Sequence, residues 1–209
     1  MKIIKAGFHI LSPANGAEIL KSIEQAGRVC YKSEDKITDG SAKKFVAGII
    51  KRGHEAVLEH ESIRVKFIVD RGVSHEIVRN RLAAYCQEST RYCNYSKDGF
   101  GNEITVIEPC FLEHDTPQWV AWESAMKNAE FFYFRMLDLG CSPQEARSVL
   151  PNSLKTEVVM TANIREWRHF FKLRTSLAAH PQMREVAISL LQEFQRLIPV
   201  LFDDIEVAA

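Results

Sequence analysis

The sequence predicts an α+β protein on three observations. Residues 62–69, S-I-R-V-K-F-I-V, set Ile63, Val65, Phe67 and Val69 on one face and Arg64 and Lys66 on the other, the period-two pattern of a half-buried strand. Residues 117–137 carry Trp119, Trp122, Met126, Ala129, Tyr133, Met136 and Leu137 at spacings of three and four, the stripe of a core-facing helix and not a cofactor box. No internal repeat, low-complexity run or linker interrupts the chain, so residues 1–209 are expected to form one domain.

The remaining elements follow in order. Residues 2–11 alternate loosely and read as a first strand. Pro13 and Asn15 then open a helix with Ile19, Ile23 and Ala26 at helical spacing, ending near Gly27. Thr38 begins a second helix, with Phe45, Val46, Ile49 and Ile50 on one face and Gly53 as its left-handed stop. Asp70 or Ser74 caps a short helix that runs into Arg79. Residues 96–102 are a turn-rich loop and 103–108 a strand. Thr116 and Pro117 start the long helix, which stops at Gly140. Ser142 and Glu145 form a capping box for a shorter helix closed by Pro151. Residues 154–161 are apolar enough for a strand. Asn163 and Glu166 then make a second capping box, before a helix with Trp167, Phe170 and Phe171 inward and Arg174 at its end. His180 and Pro181 lead into a last amphipathic helix, through Val186, Ile188, Leu191, Phe194 and Leu197 to Pro199.

Composition removes several function classes. The formal charge is zero, so general attraction to nucleic acid or an anionic membrane is not expected, and any basic site must be local. The N-terminal stretch has no long apolar core, and no apolar run of membrane-spanning length occurs, which reads as a cytoplasmic protein. Five cysteines without a C-x-x-C pair support neither a disulfide framework nor a structural zinc site. His54 and His60 are not four apart as in H-E-x-x-H, so no metal site is expected. G-F-G-N-E-I lacks the third glycine of a dinucleotide fingerprint and precedes a strand instead of a helix, and no phosphate-cradling Walker loop is present.

The stretch from Arg79 to Tyr95, R-N-R-L-A-A-Y-C-Q-E-S-T-R-Y-C-N-Y, concentrates chemistry. Arg79, Arg81 and Arg91 are permanently charged forks that match phosphate or carboxylate oxygens. Ser89 and Thr90 add hydroxyls, and Gln87 offers an amide that can both donate and accept, as a base edge requires. The set suits a nucleotide. Two other readings compete with it. In one, the arginines pair with Glu76 and Glu88 while Tyr85, Tyr92 and Tyr95 are half-buried. In the other, Arg91, Tyr92 and Tyr95 grip RNA by stacking, against which the zero net charge counts.

The spacing Arg, one residue, Arg, seven residues, Ser resembles the signature of the flavin-dependent thymidylate synthases. R-G-H-E-A-V-L-E-H at 52–60, A-R-S-V-L-P at 146–151 and N-I-R-E-W-R-H-F-F-K-L-R at 163–174 resemble that family's other blocks, in order. The resemblance implies a central, mainly antiparallel sheet flanked by helices, in a homotetramer whose sites are shared between subunits. It implies reductive methylation of dUMP to dTMP, with 5,10-methylenetetrahydrofolate as carbon donor and FAD, reduced by NADPH, as hydride source. Arg174 would be the catalytic residue, stabilising an anionic uracil. Glu76, Arg79, Gln87, Glu88, Ser89, Thr90 and Arg91 would bind dUMP, with Arg147 reaching it from another subunit; Ser89 has no base partner and is not a nucleophile. His54, Arg79, Asn80, Arg81, Asn163, Arg165, His169 and His180 would hold FAD, and Cys30 stands where a serine touching the flavin phosphates is usual. Asn80 replaces the signature histidine, Ala84 a common serine and Glu76 a common glutamine. An amide cannot titrate or carry charge, so the alternative expectation is a non-catalytic or weakly active nucleotide- and flavin-binding relative.

Overall fold

The computed structural model describes residues 1–12 and 15–207, with the side chain of Asp98 left undescribed. The expected first strand is two: β1 (Lys2–Ile4) and β2 (Gly7–Ile10). Lys5 and Ala6 break the alternation, and the two strands enter different sheets. Asn15 caps α1 (Gly16–Tyr31) by accepting from the Ala17 amide, while Pro13 lies outside the described residues. The helix does not end at Gly27. That glycine is buried mid-helix, where a Cβ would stand 2.6 Å from the ring of Phe45; it is a close-approach site, and Lys32 in the left-handed region ends the helix instead. α2 (Ser41–Lys51) begins after Gly40 and not at Thr38, whose carbonyl accepts from the Ser41 hydroxyl; Gly53, at φ +70°, follows it as expected.

β3 (Ser62–Asp70) buries Ile63, Val65, Phe67 and Val69, and Asp70 caps α3 (Arg71–Ile77) through the Val73 amide at 2.8 Å. β4 (Ala83–Gln87) has no counterpart in the sequence reading: only Tyr85 among its residues is bulky and half-buried, so no alternation marks it. β5 (Thr105–Ile107), α4 (Pro117–Asp138), α5 (Pro143–Ala146), β6 (Lys155–Asn163), α6 (Ile164–Arg174), α7 (Pro181–Leu197) and α8 (Pro199–Phe202) complete the chain. The capping box at Ser142 forms as expected. At α6 only half of one forms: Asn163 accepts from the Glu166 amide at 2.8 Å, but the Glu166 carboxylate is buried and makes no return bond.

β2, β3, β6 and β4 form a four-stranded sheet in that order, and the fold is the expected α+β one with an antiparallel sheet flanked by helices. A second sheet departs from that expectation: β1 and β5 pair in parallel, Ile3 opposite Val106.

Contacts gather the chain into two units of interleaved segments. The first takes in 1–7, 67–79 and 86–159, the second 8–66, 80–85 and 160–209. In the first, Tyr95, Ile104, Val106, Met126, Tyr133, Ala146 and Leu154 form the core, with Trp122 and Met136 packed on it. In the second, Trp167, Phe171, Phe194 and Phe202 stack edge-on and obliquely at centroid spacings of 5.1–5.8 Å, each such pair adding about 0.5–1.5 kcal/mol beyond burial. That cluster fixes α6, the helix carrying the 163–174 block, against α7 and α8.

Candidate active site

All the expected substrate residues except Arg174 belong to the first unit, and all the expected cofactor residues except Arg79 to the second. In the first unit, β4 ends at Gln87, whose amide donates to the hydroxyls of Ser74 (2.9 Å) and Thr156 (3.3 Å). Its orientation is thereby fixed, leaving the carbonyl as the group able to accept from a ligand. Glu88 extends the strand pairing through its amide, which donates to the Glu157 carbonyl at 2.9 Å. Its carboxylate accepts from Lys155 at 2.9 Å and, more weakly, from the Tyr95 hydroxyl at 3.4 Å.

The chain then turns. Ser89 accepts from the Arg91 amide at 3.3 Å, and its carbonyl accepts from the Cys93 amide at 2.9 Å. Arg147 donates to the Thr90 hydroxyl at 3.3 Å. Arg147 and the Ser89–Arg91 turn therefore belong to one group within one chain. Glu76 lies on α3, and its carbonyl accepts from the Arg79 amide at 3.3 Å.

Among the described residues, Arg79, Arg81 and Arg91 are exposed and carry no ion pair, and Glu88 is taken by Lys155 and not by an arginine of the signature. The reading of those arginines as charges paired with Glu88 is thus overturned. RNA stacking on Tyr95 fails too, because the ring is 4% exposed and packs edge-on against Phe100 and Tyr133. Burial, then the Glu88 charge, pushes the Tyr95 hydroxyl up, so it stays a neutral donor. Tyr92 is exposed, with the Arg91 guanidinium over its ring at 5.5 Å.

In the second unit a cleft of about 630 Å³ is lined by Asn163, Arg165 and His169, three of the expected cofactor residues, together with Glu55, Glu59, Glu166, Arg168, Lys172 and the exposed Leu82. The geometry of α6 explains the grouping: Asn163 caps the helix, and Arg165 and His169 stand one turn apart on one face. Arg165 donates to Glu59 at 2.6 Å. Burial raises the Glu166 carboxyl above its ordinary range, opposed by the charge of His169. Arg168 is 2% exposed and donates to both Asp204 oxygens, at 2.7 and 2.6 Å, and to the Leu201 carbonyl, with Glu55 at 3.5 Å.

Arg174, at the end of α6, and Glu166 both act on Tyr85. Burial first, then Glu166, against Arg174, push that phenol to about 12, and its hydroxyl donates to the Asn80 carbonyl at 2.5 Å. Asn80 is itself buried.

The structure does not place His54, Asn80, Arg81 or His180 in the lining of the cleft. His54 precedes the helical turn at Glu55–His60 without a side-chain cap bond to it, and its Nδ1 lies 2.7 Å from the Tyr31 hydroxyl. His180 caps α7 through the Gln182 amide at 3.3 Å. Cys30 is exposed near the end of α1. Lys155, Glu59 and Arg168 were missed by the sequence reading. Of these only Lys155 left a signal, since Lys155 and Glu157 set opposite charges on one face of the same strand. Among the described residues no group of three or more His, Cys, Asp or Glu is placed to hold a metal ion, and no helix is long and apolar enough to cross a membrane.

The family profile described as "Thymidylate synthase complementing protein" matches residues 15–200, which include every block named above. The chain belongs to that family. Among its thymidylate synthase complementing relatives, a flavin-dependent thymidylate synthase of Geobacter sulfurreducens is 32% identical over 190 residues, covering 88% of this chain and 80% of its own. One of Pyrococcus furiosus is 30% identical over 184 residues, covering 85% and 75%. The UMP/dUMP methylase PolB of Streptomyces cacaoi, solved with 5-Br dUMP, superposes with a TM-score of 0.79 at 22% identity, over 97% of this chain and 96% of that one. That likeness shows a shared fold over 97% of this chain.

Proposed function

We propose that this protein methylates dUMP reductively to dTMP, taking the carbon from 5,10-methylenetetrahydrofolate and the hydride from FAD reduced by NADPH. The observation that carries the reading is the cleft of the second unit, where Asn163, Arg165 and His169, set far from the signature in sequence, line one cavity of ligand size. Its chemistry fits a flavin nucleotide: Arg165 and Lys172 supply fixed charge for phosphates, Asn163 and His169 supply directional partners, and Leu82 supplies apolar surface. When bound there, the flavin supplies the hydride.

The chain's own residues would do the rest. Arg91, Thr90 and Arg147 present charge and hydroxyl donors to a phosphate. Gln87, with its amide already held, offers its carbonyl to a pyrimidine N–H. Arg174 stabilises negative charge on the uracil ring and so raises electron density at the carbon that accepts the methylene; no enzyme nucleophile takes part. Tyr85 lies within electrostatic reach of both Arg174 and Glu166. A homotetramer, with substrate and cofactor groups drawn from different copies, working in the cytoplasm, completes the proposal.

The experiment is dUMP-dependent oxidation of NADPH by the FAD-loaded protein with methylenetetrahydrofolate present, run beside Arg174→Ala. Oxidation that needs dUMP and is lost in the variant supports the reading. A protein that binds dUMP and FAD yet forms no dTMP is instead a nucleotide-binding relative, the outcome that Asn80 in place of histidine would explain.

A further inference from the structure

We propose that Lys155 is a positioning residue of the substrate site, whose ammonium cancels the Glu88 carboxylate beside the Ser89–Arg91 turn so that a nucleoside monophosphate can dock there. The inference rests on the reading that this turn and Arg147 receive the phosphate of dUMP.

Glu88 directly precedes the turn, and its side chain is 12% exposed. A carboxylate in that place keeps most of its field, because little water is available to screen it, and it would oppose a phosphate dianion next door. The fold answers it with one cation. Lys155, at the start of β6, reaches Glu88 at 2.9 Å and Glu157 at 3.1 Å, with its own side chain 21% exposed. Burial alone would lower its pKa, but the hydrogen bonds and charges of Glu88 and Glu157 outweigh that and hold the ammonium above the ordinary lysine range. It is therefore charged at any working pH.

Tyr95 closes the loop from its far end, donating to the other Glu88 oxygen. The pair thus does two things: it removes a negative charge from the anion site, and it pins the loop that carries Ser89, Thr90 and Arg91. Glu157 shares the same lysine but is 37% exposed, so solvent screens most of its charge.

A charge role and a packing role separate by ligand. Binding of dUMP and of uncharged 2′-deoxyuridine is measured by calorimetry on the full chain supplied with FAD, in the unsubstituted protein, Lys155→Met and Lys155→Met/Glu88→Gln. The single variant is expected to weaken dUMP about tenfold, with deoxyuridine unchanged within about twofold. The double variant, which removes both charges, is expected to bind dUMP more tightly than Lys155→Met does. Unchanged dUMP affinity in Lys155→Met, equal weakening of both ligands, or no recovery in the double variant would overturn the proposal. If the unsubstituted protein does not bind dUMP, the substrate reading fails and this inference falls with it, a result distinct from the other three.

Discussion

Both carboxylate oxygens of Asp204 accept from the guanidinium of Arg168, at 2.7 and 2.6 Å, and that guanidinium also forms part of the wall of the α6 cleft. The pair ties the segment after α8 to the helix carrying Asn163, Arg165 and His169. Asp204→Asn leaves a buried cation with only Glu55 at 3.5 Å and a backbone carbonyl. Breaking a fully buried pair costs about 3–5 kcal/mol; because Asp204 is half-exposed, we expect about 2 kcal/mol and a fall in Tm of about 4–8 °C. The hydrogen bond from Arg168 holds the Asp204 carboxyl below its ordinary range. Its contribution is accordingly complete above the unfolded carboxyl's pKa and is lost as pH falls through the lowered folded one. Thermal melts of both proteins from pH 7 down to about 3 should converge at the acid end; a gap that widened on acidification would contradict the assignment.

Arg165 separates ligand binding from stability. Its bond to Glu59 lies between two side chains that are each about half-exposed, a class of pair worth about 0–1 kcal/mol to folding. Arg165→Ala should leave Tm within about 3 °C while weakening FAD by about 10- to 100-fold, read from quenching of flavin fluorescence. Unaltered FAD affinity would remove Arg165 from the cofactor site.

Gly27→Ala opposes two local effects. Alanine in a helix interior gains about 1 kcal/mol over glycine, but the new methyl would meet the Phe45 ring at 2.6 Å, and overpacking costs about 1–3 kcal/mol. Phe45 cannot swing freely, since Tyr31 packs edge-on to it at 6.4 Å and Arg28 lies over it at 4.4 Å. A net loss of about 1 kcal/mol in urea denaturation is expected; a gain would show that the ring yields.

Much of the fold was legible because its signals are local. The alternation of β3, the stripe of α4, the Ser142 capping box and the Asn163 cap each depend on residues within a turn or two of one another. β4 was not legible, because a strand whose side chains are mostly exposed carries no hydrophobic period. Gly27 misled for a related reason: a glycine that stops a helix and one that admits a neighbouring ring look alike until Phe45 is in place.

The site divides in the same way. Gln87, Ser89, Thr90 and Arg91 share one short segment and could be read together, as could Asn163, Arg165 and His169. The partners that fix their charge are Lys155 for Glu88, Glu59 for Arg165 and Asp204 for Arg168. The first two pairs are far apart in sequence, and no spacing rule connects their members.

Release of tritium from dUMP labelled at carbon 5 of the uracil tests the central claim most directly, because methylation of that carbon must displace that hydrogen. With FAD, NADPH and methylenetetrahydrofolate supplied, the account predicts release that tracks dTMP formation and disappears in Arg174→Ala. Intact label after many equivalents of NADPH, from a protein shown to bind both dUMP and FAD, would contradict it.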